Sequence, residues 1–195
     1  MRVVTINLYA IDELNKTAQR KAIYKYRPTE NPNEEEDMES ISAICKAIHC
    51  DYSTDYNGHI ALCYNDEDEA MFLSGKRAMA YVWNNYIEPN LKGKYISNGW
   101  CNRYYHSKVT KEFNCPFTGY CADMLLWDAW NYWKDEVRKF NTEQTVAGFI
   151  CRVQYVIEDY LEKQRDYFLS DEFAMEYLLD MGEVFTESGE RYEDL

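Results

Sequence analysis

The 195-residue chain carries 34 Asp+Glu against 21 Lys+Arg, a formal net charge of −13, and 46% of it is hydrophobic, with 18 tyrosines. That apolar content supports a real core and excludes intrinsic disorder, and only eight glycines and four prolines exclude collagen-like and low-complexity chains. The acid excess disfavours direct nucleic-acid binding and adhesion to anionic membranes, both of which draw on Lys and Arg.

In chain order, Val4, Ile6 and Leu8 alternate with polar or small neighbours, a period of two that predicts a strand over residues 2–9. Asn15 is a good N-cap for a helix over about 16–26, with Ala18, Ala22 and Tyr26 on its inner face. This helix carries Lys16, Arg20, Lys21 and Lys25 and no acid. Residues 27–37, with Pro28 and Pro32, read as a solvated loop. A second helix is expected over about 37–49, with Met38, Ile41, Cys45 and Ile48 as its stripe. Alternating Tyr52, Thr54, Tyr56 and Ile60, Leu62, Tyr64 flank Asn57-Gly58, the signature of a type I′ hairpin.

A helix is next expected over about 70–87, facing inward through Met79, Val82, Trp83 and Tyr86. Residues 90–121 read as irregular, with a strand around 105–113. Two long helices follow. In the first (about 122–140) Leu126, Trp130, Trp133, Val137 and Phe140 recur at four and three residues; in the second (about 143–168), capped by Thr142, Val146, Ile150, Val153, Ile157 and Leu161 do the same. Ser170 caps a short helix over 171–181, and residues 184–192 read as a closing strand and turn. With no repeat and no interior linker, the expectation is one α+β domain over residues 1–195, a small antiparallel sheet with its hairpin packed on amphipathic helices.

The longest apolar run, residues 78–83, is far short of the ~20 residues that span a bilayer. The first residues lack the apolar stretch of a signal peptide, and the seven cysteines are an odd number, so the expected compartment is the cytoplasm with reduced thiols.

The charge is unevenly spread. Residues 30–39, 66–69 and 171–195 together hold 19 acids and one base, whereas the remaining 156 residues hold 15 acids and 20 bases. Either these segments are solvated loops that aid solubility, or they converge into an acidic face mimicking nucleic-acid phosphates. On the second reading the contacts are Glu34, Glu35, Glu36, Asp37, Asp66, Glu67, Asp68 and Glu69, with Glu187 and Glu190 from the tail.

No phosphate loop, serine elbow, zinc-protease helix or dinucleotide fingerprint occurs, and only His49, His59 and His106 are available as bases near neutral pH. No catalytic residues and no cofactor are expected. Cys101, His106, Cys115 and Cys121 form the one cluster resembling a zinc site, though without a tight knuckle; buried thiols are the alternative. Cys45 and His49 stand one helical turn apart without a third ligand. Trp127 and Tyr132 fall off the core stripe of their helix, which offers them as anchors for a protein partner.

Four stretches then read together: Tyr-x-x-x-Glu-Leu-Asn-Lys-Thr-Ala-Gln-Arg-Lys-Ala-Ile over residues 9–23, Asn-Cys-Pro-Phe-Thr-Gly-Tyr-Cys-Ala-Asp over 114–123, Glu-Asp-Tyr at 158–160 with Leu-Ser-Asp-Glu at 169–172, and Phe-Thr-Glu-Ser-Gly-Glu-Arg-Tyr over 185–192. In this the chain resembles a family of small acidic bacteriophage and prophage proteins, often labelled antitoxin of a toxin–antitoxin stability system. The resemblance implies a phage accessory protein, a class that includes inhibitors of host defence such as anti-CRISPR and antirestriction proteins. The expected partner is a basic nucleic-acid-handling protein, a CRISPR effector nuclease first among them. The alternative is a toxin held through an apolar interface that includes Trp127.

Overall fold

The structure, a computed structural model, describes residues 6–55, 59–90, 123–140 and 144–194. The described residues form an α+β fold, mostly helical with one two-stranded antiparallel sheet. Its helices are α1 (Lys16–Tyr26), α2 (Glu34–Ala47), α3 (Gly75–Val82), α4 (Asp123–Phe140), α5 (Val146–Phe168) and α6 (Asp171–Asp180). The strands are β1 (Asp51–Thr54) and β2 (Ile60–Cys63). The chain divides into two compact units, one of residues 33–161 and one of residues 1–32 with 162–195.

The terminal unit is built on α1 and α6. Asn15 caps α1 as its sequence implies, its Oδ1 accepting the N–H groups of Thr17 and Ala18 at 3.1 Å. Ala18 and Ala22 are buried, and Ile23 with them; these small residues let α6 approach, placing Ala174 and Leu178 in the same cluster as Ile11 and Phe185. The strand expected over 2–9 is reduced to one bridge. Tyr9 and Phe185 exchange both backbone bonds at 2.9 Å, while Ile6 and Leu8 stay exposed and outside any ladder. The alternation there is not matched by burial, and residues 1–5 lie outside the described residues. Phe185 also bridges Arg191, so residues 184–192 form a turn rather than a full strand. That turn presses on α1: a Cβ built at Gly189 would sit 2.4 Å from the Ala18 carbonyl oxygen.

The central unit holds the sheet and the larger core. β1 and β2 pair from Asp51↔Cys63 to Thr54↔Ile60, with Ile60 and Leu62 buried as alternation requires. The Asn57-Gly58 turn lies among residues 56–58, outside the described residues. Helix α2 starts three residues earlier than expected, at Glu34, because acids favour the first turn of a helix, where they meet its positive end.

The helix expected over 70–87 is interrupted. A 3-10 turn, Glu69–Phe72, precedes an extended Leu73-Ser74, whose backbone is taken by a bridge to the start of α5: Gly75 N–H donates to Gln144 O and Val146 N–H to Leu73 O. α3 then runs into a π turn, Trp83–Ile87, in which Tyr86 and Ile87 are both buried. Trp133 and Phe149, fully buried, meet edge to face at 5.4 Å between centroids, an arrangement worth about 1 kcal/mol beyond area burial. Phe140, expected on the inner face of α4, is instead 65% exposed at the last residue of the helix, beyond the core that buries Val137.

Candidate functional site

The expected contact acids have different fates. Glu34, Glu35 and Glu36 are exposed on the first turn of α2. Asp37 is not; it is buried at 6% exposure and accepts a 2.6 Å hydrogen bond from the Tyr160 hydroxyl. Facing inward on the same turn, it serves the core and not a partner surface. Asp66, Glu67, Asp68 and Glu69 are exposed, with Asp68 also capping the 3-10 turn through the Ala70 N–H at 2.9 Å. Within the described residues, Glu34, Glu35, Glu39, Asp66, Glu67 and Glu69 make no ion pair.

These two runs do not merge into one cluster. Asp68 lines a cavity with Ile48, His49 and Cys50, which follow the C-terminal end of α2, whereas the glutamates occupy its first turn. Fourteen helical residues span about 20 Å, so the two runs stand near opposite ends of that helix.

In the terminal unit Glu187 is exposed, but Glu190 is held by its own chain. Lys21 Nζ lies 2.7 Å and Lys25 Nζ 2.5 Å from its carboxylate, and the Tyr26 hydroxyl donates to it at 3.0 Å. The hydrogen bonds from Lys21, Lys25 and Tyr26 hold the carboxyl down to about 2, and those to Glu190 and Tyr26 push the Lys25 ammonium well above its ordinary range. Arg27 pairs with Asp171 at 2.7 Å and Arg191 with Glu183 at 3.1 Å. The basic first helix thus answers acids of the tail inside one unit, which holds 14 acids and 9 bases, a net of −5. The central unit, with 20 acids and 12 bases, carries −8.

Trp127 is half-buried and packs against the central core. Tyr132 is exposed, with the Arg152 guanidinium stacked 3.9 Å from its ring centre.

Cys45 and Cys50 are buried, and that burial pushes their thiols up to about 11 and about 12, so neither supplies a thiolate near neutral pH. His49 sits beside them at φ +57°, with its ring 5.8 Å from that of Tyr86. Among the described residues no group of His, Cys, Asp and Glu is placed to hold a metal. Cys101, His106, Cys115 and Cys121 lie outside the described residues. No described helix is long and apolar enough to cross a membrane.

Around the cavity of about 150 Å³ by His49 are Tyr64, Tyr81 and Tyr86 with Asp68. Sequence reading assigned Tyr86 to the core and missed the site, because its walls come from four separate segments. Two of the four segments carry its tyrosines, Tyr64 in one and Tyr81 with Tyr86 in another.

Comparison with known proteins finds no matching family model, no matching curated protein and no matching solved structure.

Proposed function

We propose that this chain is a non-enzymatic phage or prophage accessory protein that occupies the basic groove of a nucleic-acid-handling defence protein, a CRISPR effector nuclease before others. The supporting observation is the exposed set of Glu34, Glu35, Glu39, Asp66, Glu67 and Glu69, without an ion pair among the described residues, on a unit of net −8. Unpaired surface carboxylates steer a basic partner and compete with phosphates for the same Lys and Arg side chains. Relative to the sequence reading, the contact set loses Asp37, which is buried, and Glu190, which is engaged. The resemblance to phage proteins directs the choice of partner.

The experiment measures displacement of labelled DNA from purified CRISPR effector nucleases by the wild-type chain and by a variant carrying Glu34→Gln, Glu35→Gln, Glu67→Gln and Glu69→Gln. Glu34 and Glu35 sit in the first turn of α2, so the variant should lose about 1 kcal/mol of stability, and circular dichroism verifies that it remains folded. Displacement by the wild type should weaken about tenfold or more as salt rises through the physiological range, and the variant should lose most of it. Binding that ignores both salt and the substitutions overturns the reading and favours capture of a toxin through an apolar surface.

A further inference from the structure

We propose that the cavity beside the end of α2 is a binding site for an alkylated ammonium group, such as choline or a methylated lysine side chain. Its volume of about 150 Å³ is that of a cavity that accepts a benzene-sized guest, and tetramethylammonium is of that order. Tyr81 and Tyr86 meet edge to face, at 87° with centroids 5.8 Å apart, and both line the cavity, as does Tyr64. An aromatic ring that turns its negative face to such a space attracts a cation there. The Asp68 carboxylate completes the charge preference, and among the described residues the space is lined by His49 but by no Lys or Arg.

The walls are held in place before any ligand arrives. Tyr86 is 3% exposed, stacks on Phe149 at 6.2 Å, and has its hydroxyl pushed up by burial first and by Tyr81, Cys50 and Asp68 nearby. An alkylated cation suits the site better than a bare ammonium, because two of the acceptors there already hold backbone N–H groups. Asn65 Oδ1 accepts from the Glu67 N–H at 3.1 Å, and Asp68 Oδ1 from the Ala70 N–H at 2.9 Å. A quaternary nitrogen has no N–H to leave unsatisfied. This site stands independently of the acidic-groove reading, since its ligand is a small group and its walls are tyrosines.

The test titrates the full chain with choline, with a trimethyllysine peptide, and with 3,3-dimethyl-1-butanol, the neutral isostere of choline, followed by NMR of the tyrosine rings. Choline or the peptide should bind about tenfold or more tighter than the alcohol, and the better of the two identifies a free metabolite or a protein side chain as the source. Asp68→Asn keeps the cap, because Asn also caps, and should weaken binding about tenfold. Tyr81→Phe should retain binding and Tyr81→Leu lose it, with the amide spectrum of each variant verifying the fold. Equal affinity for the alcohol, or no saturable shifts with either cation, overturns the assignment.

Discussion

Replacing Gly189 with alanine separates two costs that usually travel together. Gly189 has φ +80°, and the new Cβ would lie 2.4 Å from the Ala18 carbonyl oxygen and 3.1 Å from its carbon. Gly182, in the same unit, has φ +67° but open space where the Cβ would go. The left-handed backbone costs an alanine about 1 kcal/mol at either site. At Gly189 a backbone clash is added, against a carbonyl in the first turn of α1; forcing atoms into a packed site costs about 2 kcal/mol more. Gly182→Ala should therefore lose about 1 kcal/mol and Gly189→Ala about 3. With a urea slope of about 2 kcal/mol/M, the midpoints move by about 0.5 M and about 1.5 M. Urea titration followed by circular dichroism reads both, with an unchanged slope expected. Equal shifts for the two variants would refute the claim that the 184–192 turn is pressed onto α1.

Two further outcomes follow from the titrating groups. The Glu190 carboxyl is held at about 2 against an ordinary 4.5, so its stabilisation is fully present above 4.5 and is lost as pH falls through about 2; the difference in melting temperature between wild type and Glu190→Gln should shrink over that window, and a difference that stays constant would show that the Lys21 and Lys25 pairings do not form. Iodoacetamide in mildly alkaline buffer, read by peptide mass mapping, should label the exposed Cys63 and Cys151 and spare Cys45 and Cys50 until the chain is unfolded.

Local chemistry was legible wherever the controlling contact is close in sequence. The bounds of α1 follow from Asn15 and the Ala18–Ala22 spacing, and the stripe of α5 from Val146 to Ile157 is buried as its period implies. Ser170 caps α6 through the Phe173 N–H in the same way. What escaped was set by distant partners. Asp37 looked like one more acid in a run until Tyr160, 123 residues away, donated to it. Glu190 looked like tail charge until Lys25, 165 residues back, closed on it. The contrast between an acidic tail and a basic first helix was readable, but their pairing was not, because charge counts carry no distances. Leu73-Ser74 escaped for the same reason: a helix-forming stretch yielded its backbone to Gln144 and Val146.

The π turn at Trp83–Ile87 has a consequence for how the central unit can change. A regular helix turns each successive side chain by about 100°, so residues five apart, such as Val82 and Ile87, face well away from each other. The extra residue of a π turn resets that phase, and here Val82, Tyr86 and Ile87 are all buried together. One helix thus supplies Ile87 to the core and Tyr86 to the wall of the cavity from adjacent positions. Deleting a single residue within the turn would restore a regular helix and leave room on the inner face for only one of the two. The core and the aromatic pocket are tied to the same residue of slack, so neither can drift in length without the other.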